Sequence, residues 1–184
     1  MKMTINENEF ELIVGDITKQ HTDAIVNAAN GTLLGGGGVD GAIHQAAGKE
    51  LLEACRKVRA DDLDGAYLPT GDVVLTKGYN LPAAHVIHTV GPVWNNNTTN
   101  NEELLADCYR HALDLAMEKE LKSISFPSIS TGVYRFPVEL AAKVATGTII
   151  DFLSRHSFGL VRMTLFSEAD YKVYKQEMEK QRRN

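Results

Sequence analysis

Short apolar, β-branched runs alternate with longer stretches of helical periodicity along most of this chain. That alternation restricts it to a central sheet flanked by helices. Phe10–Gly15, Asp23–Val26, Asp72–Thr76, His85–Val90, Ser123–Pro127 and Val161–Phe166 read as strands. Helical faces run over Asp40–Val58 (Ile43, Ala47, Leu51, Ala54 and Val58 inward) and over Glu103–Lys119 (Leu105, Cys108, Ala112 and Leu115). Two more run over Val138–Leu153 (Ala141, Ala145, Ile149 and Phe152) and Glu168–Lys180 (Tyr171, Tyr174 and Met178). Pro137 suits the first position of the third helix. Crossovers of this length predict an α/β fold whose sheet is partly parallel, with helices on both faces. At 184 residues, one domain spanning 1–184 is expected. The asparagine-rich stretch Trp94–Asn101 reads as a polar surface loop that tolerates deletion better than its surroundings.

In open sheets of this kind ligands bind beyond the carboxyl ends of the strands. The unusual polar stretches of the chain follow predicted strands: Gly15-Asp16, Asn27 to Asp40, and Ser128 to Phe136. Converging at one sheet end, they make one cleft. The second of them holds four consecutive glycines, Gly35 to Gly38, followed by Val39-Asp40-Gly41 at a helix start. Successive N–H groups in such a loop form a concave nest for an anion, and the helix N-terminus adds partial positive charge. A flexible linker would be Gly/Ser-rich and polar; Leu33, Leu34, Val39 and Ile43 flank this run instead. Gly36, Gly38 and Gly41 match G-x-G-x-x-G, but a dinucleotide fold needs a strand immediately before the glycines, and Asn30-Gly31-Thr32 is turn-like. No Lys-Ser/Thr pair follows, so a P-loop is excluded. With no cation in the run, backbone N–H groups must hold any phosphate. The hydroxyl-rich loop Ser128–Tyr134 offers a second neutral cradle, and two facing cradles suit a diphosphate.

The formal net charge of -5 argues against non-specific binding to duplex nucleic acid. Cys55 and Cys108 are the only cysteines and fall in separate predicted helices, which suggests free buried thiols in a reducing compartment. No signal sequence and no apolar run of spanning length is seen, so the expected location is cytoplasmic, with no membrane partner. His85 and His88 lie three apart in a strand and face opposite ways; no acid or cysteine cluster has metal spacing, and no Gly-x-Ser-x-Gly elbow occurs. Neither a metal nor a cofactor is expected. Without an unusually apolar surface stripe, a monomer is expected.

Val14-Gly15-Asp16-Ile17-Thr18, Val26-Asn27-Ala28-Ala29-Asn30, Gly35 to Gly41 with Ala42-Ile43-His44, His88-Thr89-Val90-Gly91-Pro92 and Pro127-Ser128-Ile129-Ser130-Thr131-Gly132-Val133-Tyr134 occur in order. Together they resemble the macrodomains of the MacroD type, and the resemblance runs from about Phe10 to the last helix. It implies a three-layer α/β/α sandwich that binds ADP-ribose. It also implies metal-independent enzymes that remove mono-ADP-ribose from acidic side chains of proteins and deacetylate O-acetyl-ADP-ribose. By that resemblance Asp16 accepts from the adenine amino group, and Ile17 and Phe166 pack near the base. Gly37, Gly38 and Val39 hold one phosphate; Ser130, Thr131, Gly132, Val133 and Tyr134 hold the other. Asn27 joins the ligand-contacting set, and Asn30 with Asp40 forms the catalytic pair at the distal ribose. Arg135 departs from the family pattern, since many members have glycine there; its guanidinium either touches a phosphate or points to solvent.

The expected reaction is hydrolysis of an ADP-ribosyl ester, with Asp40 kept ionised by the helix start and activation coming largely from positioning. Three other readings compete: a non-catalytic ADP-ribose-binding module, a nucleotide-dependent oxidoreductase, and a poly(ADP-ribose) or RNA reader. The missing strand before the glycines counts against the second, and the negative charge against the third.

Overall fold

In the computed structural model, which describes residues 1–96 and 100–184, the strands are β1 (Lys2–Ile5), β2 (Asn8–Val14), β3 (Ala24–Ala28), β4 (Val73–Lys77), β5 (His85–Thr89), β6 (Ser123–Phe126) and β7 (Leu160–Leu165). The helices are α1 (Gly38–Ala47), α2 (Lys49–Asp61), α3 (Asn101–Glu118), α4 (Val138–Arg155) and α5 (Glu168–Arg182). One mixed sheet of seven strands, ordered β1-β2-β7-β6-β3-β5-β4, forms the middle layer. The run from β2 to β5 is parallel throughout, and antiparallel β1 and β4 close the two edges. Side chains alternate across each strand. Ala24 and Val26 therefore join the core under α3, α4 and α5, while Ile25 joins the core under α1 and α2. The result is the α/β/α arrangement expected from the alternation of elements.

The connections explain where a cleft must open. Neighbouring strands β3 and β6 run parallel, yet β3 leads to α1 on one face and β6 leads to α4 on the other. Their outgoing loops part at the carboxyl edge, and a crevice is left between them.

Four local expectations change. The predicted helix over Asp40–Val58 is two helices, α1 and α2, broken at Gly48 with φ 93°. The apolar stripe hides the break because Ile43, Ala47 and Leu51 stay on one buried face across it; beyond it Cys55 is the buried residue, with Ala54 and Val58 only half-buried. Strand β1 is additional; its hairpin turn uses Asn6 and Glu7, both at positive φ, without the glycine that marks most such turns. Pro137 caps α4 rather than opening it. The stretch Trp94–Asn101 is anchored at both ends: Trp94 packs edge-on against Phe136 at 4.9 Å, and buried Asn101 opens α3 and donates to the Asn95 carbonyl at 2.7 Å. Residues 97–99 of that predicted loop lie outside the described residues.

Asn8 shows how the layers are locked. Its Nδ2 donates to the carbonyls of Leu153 (2.9 Å) and His156 (2.8 Å), and its Oδ1 accepts from the N–H groups of Phe158 (2.7 Å) and Gly159 (2.9 Å). One buried carboxamide thus joins β2 to the end of α4 and the start of β7. Asn8→Ala leaves those backbone groups without partners in the core and is expected to lower unfolding stability by about 3 kcal/mol in urea titration. A loss below about 1 kcal/mol would show that water or rearrangement satisfies them.

Candidate ligand-binding crevice

The glycine run closes over two polar side chains. Gly37 is the N-cap of α1 and makes no side-chain cap, so the first N–H groups of the helix are left for another acceptor. Gly38 stands at φ 58°, a conformation that glycine takes freely. Gly36 is glycine for a second reason. A Cβ there would collide with Asn30 Nδ2 and lie 3.2 Å from Asp40 Oδ2. Asn30, on the loop after β3, and Asp40, in the first turn of α1, therefore converge beneath one backbone position.

Asn30 spans the crevice. Its Nδ2 donates to the Gly35 carbonyl at 3.0 Å, and its Oδ1 accepts from the Tyr134 hydroxyl at 3.2 Å. The two loops are thus joined through the side chain expected at the distal ribose. Asp40 is buried, at 4% exposure. Its Oδ1 accepts from Asn27 Nδ2 at 2.8 Å and faces His44 Nε2 at 3.4 Å; Oδ2 has no partner among the described residues. The helix start was expected to favour the carboxylate. Burial works against it and prevails: the Asp40 pKa is raised, although the Asn27 hydrogen bond and His44 pull the other way.

Asn27 is wholly buried and sits behind Asp40 rather than on the open surface of the cleft. Its amide also lies 3.1 Å from His88 Nδ1. An amide donor makes Nδ1 an acceptor, which puts the His88 proton on Nε2, 2.9 Å from Thr76 Oγ1. Burial pushes the His88 pKa down to about 3, so the ring is neutral, and pushes the nearby Cys55 thiol up to about 12. Sequence reasoning missed this support. The Asp40–His44 pair was legible from its i, i+4 spacing; the contact with His88 needs the register of β3 against β5, which aligns Asn27 with His88.

The facing loop is held from beneath. Ile129 N donates to the Tyr109 hydroxyl at 3.1 Å, and the Tyr174 hydroxyl meets Ser128 Oγ at 2.7 Å. Thr131 Oγ1 donates to the same Ser128 Oγ at 2.9 Å, which ties that hydroxyl inside the loop. Ser130, at φ 68°, is pressed against Gly91, and its buried hydroxyl has no partner among the described residues. Gly132 and Val133 stand at the exposed tip, Val133 at 92% exposure.

At the other end of the crevice, Gly15 N donates to the Leu165 carbonyl at 2.9 Å, so Asp16 and Phe166 leave adjacent strand ends. Asp16 Oδ1 accepts from Thr18 N (2.9 Å) and Thr18 Oγ1 (2.7 Å), which lowers its pKa. Phe166 is 87% exposed, an aromatic face with no covering. Ile17, expected near a base, is buried in the core under α1. Val39 is half-buried at the helix start.

A carboxyl whose pKa is raised on folding weakens the fold as pH climbs from the ordinary value of 3.8 through the raised one. Asp40→Asn keeps an oxygen for Asn27 and removes this term. The variant should match the wild type in thermal unfolding below about pH 4 and gain on it progressively toward neutrality. A difference independent of pH would mean that the buried carboxyl is not the cause.

Comparison with known proteins bears on the whole chain. The Macro domain family model matches residues 26–145. An O-acetyl-ADP-ribose deacetylase of Escherichia fergusonii is 54% identical over 151 residues, 82% of this chain and 84% of that protein. The Oceanobacillus iheyensis macrodomain solved with ADP superposes with TM-score 0.98 at 57% identity, covering 100% of this chain and 96% of that one. The Trypanosoma brucei macrodomain in complex with ADP-ribose gives 0.82 at 43% identity, covering 91% and 68%. The parted β3 and β6 loops, the glycine-capped α1 and these matches lead to one conclusion: the chain belongs to the Macro domain family.

Proposed function

We propose that this chain binds ADP-ribose in the crevice and hydrolyses its esters, both O-acetyl-ADP-ribose and ADP-ribose linked to acidic side chains of proteins. One observation carries the chemical half of this reading: Asn30 and Asp40 converge on Gly36, at the point where the two loops are joined. Similarity to a deacetylase and to macrodomains solved with ADP and ADP-ribose supports the binding half.

The free N–H groups of Gly38 and Val39 and the loop Ser130–Tyr134 would hold the diphosphate, one cradle on each side. Adenine would lie between Asp16, whose carboxylate accepts from an amino group, and the bare ring of Phe166. The distal ribose then reaches Asn30 and Asp40. In the reaction one water enters, the ester bond breaks, and a carboxylic acid and a ribose hydroxyl leave. Asp40 Oδ2 accepts a proton or orients the water. Its raised pKa brings it nearer to working pH, where a carboxylate is a better base. Asn30 both donates and accepts, so it fixes the ribose hydroxyls. Positioning in a preorganised site supplies the remainder.

The decisive measurement is release of free ADP-ribose from a protein mono-ADP-ribosylated on glutamate or aspartate, with O-acetyl-ADP-ribose run in parallel and enzyme well below substrate. Multiple turnovers are expected on both. No turnover with ADP-ribose binding intact would make the chain a reader module. Asp40→Ala is expected to lose turnover by about 100-fold or more while keeping ADP-ribose affinity within a few-fold. Gly36→Ala forces a methyl group against Asn30 and should weaken ADP-ribose binding at least about tenfold in calorimetry. Unchanged affinity there would remove the glycine loop from the site.

A further inference from the structure

We infer that Arg135 and the cavity beside it form a subsite for the acidic polypeptide that carries the ester-linked ADP-ribose. This rests on the function proposed above and assigns a role to the one cation of the second loop.

The backbone at Arg135 is fixed. Arg135 N donates to the Gly132 carbonyl and Phe136 N to the Ser130 carbonyl, both at 2.9 Å. Between them Arg135 holds φ 60°, a conformation that disfavours a side chain. Arg59, Arg110 and Arg162 each hydrogen-bond an oxygen, and Arg155 pairs with Asp151, whereas Arg56 on α2 and Arg182 and Arg183 at the end of α5 have no side-chain partner among the described residues. The Arg135 guanidinium has no partner among the described residues, so it is available to an incoming anion.

Its location gives that availability a purpose. Arg135 lines a surface cavity of about 770 Å³ with Thr70, Pro92, Val93, Trp94 and Leu104. Among the described residues no carboxylate lines this cavity. Trp94 N donates to the Tyr134 carbonyl at 2.8 Å, and the Tyr134 hydroxyl donates to Asn30 at 3.2 Å. The cavity is therefore linked, through Trp94 and Tyr134, to the side chain expected at the distal ribose. Its volume far exceeds an acetyl group and suits a few residues of polypeptide. A chain of net charge -5 repels an acidic polypeptide at long range. A local unpaired guanidinium opposite its carboxylates offsets that repulsion with charge-assisted hydrogen bonds, while Val93 and Trp94 give the peptide an apolar surface.

The test uses the full chain and two peptides bearing ADP-ribose through a non-hydrolysable amide, one with acidic and one with neutral flanking residues. Arg135→Gln should weaken the acidic peptide roughly 5–10-fold and leave free ADP-ribose and the neutral peptide within about twofold. Arg135→Lys should recover part of the loss. With hydrolysable substrates, the loss should appear in KM for the acidic peptide, and O-acetyl-ADP-ribose turnover should not change. An equal loss on free ADP-ribose would place Arg135 on a phosphate and overturn the subsite. Equal affinities for wild type and variant on the acidic peptide would overturn it as well. Failure of the wild type to turn over any ester overturns the hydrolase reading alone, because the peptide affinities still decide the subsite.

Discussion

A carboxyl buried under a glycine loop sets the terms for the rest of this molecule. Asp40 loses most of its contact with water, and burial of a charge without partners is strongly unfavourable. The fold answers with the Asn27 amide at 2.8 Å and His44 at 3.4 Å, both on the same oxygen. Asn27 cannot turn away, because its amide also faces His88, and the His88 proton is committed toward Thr76. Three strands, β3, β4 and β5, thus hold one oxygen of Asp40 and leave the other without a partner among the described residues. Such an arrangement lowers stability locally in exchange for a group that is fixed in place and raised in basicity, a pattern that recurs at functional sites.

The two cradles of the crevice are made differently. The first is backbone alone: glycine is required at Gly36 by the approach of Asn30 and Asp40, and favoured at Gly38 by positive φ. The second is a loop with side chains, and it is stiffened by hydroxyls from below. Burial holds Tyr109 and Tyr174 protonated, Tyr174 with a pKa pushed up to about 12, so their hydroxyls remain donors at any physiological pH. They reach the loop from α3 and α5, on the face of the sheet opposite α1. Each layer of the sandwich therefore fixes one wall of the crevice, and Tyr134 bonded to Asn30 joins the walls.

Much of this plan was legible in the chain. Alternating short and long apolar periods point to an α/β sheet, and the loops after Val14, Ala28 and Phe126 do lie at one edge, because β2, β3 and β6 run in one parallel block. The break at Gly48 was not legible, because two helices packed on one face keep a single stripe. The hairpin through Asn6 and Glu7 lacked the residues that advertise such turns. Among the site residues, Gly36 to Asp40 announce themselves by composition, whereas His88, Tyr109 and Tyr174 look like ordinary core positions. Their roles arise from strand register and helix packing, which no local pattern encodes. Asn27 and Ile17 illustrate the converse: both lie in motifs of the crevice, yet both side chains point into the protein.

The absence of cations from both loops proposed to hold the diphosphate follows from the same economy of structure. Lysines there would bring a diphosphate in from a distance, but they would also hold nucleic acids and free phosphates without discrimination. Backbone N–H groups reward only a ligand that fits between the loops, and the net negative charge discourages other polyanions at long range. In that setting the unpartnered guanidinium of Arg135, at the rim rather than in a cradle, is placed to act on what is attached to the ligand instead of on the ligand. Arg135 holds an unfavourable φ with no ion pair among the described residues to offset it. The proposed subsite places its rationale outside the chain, at the mouth of the crevice where a modified protein would meet it.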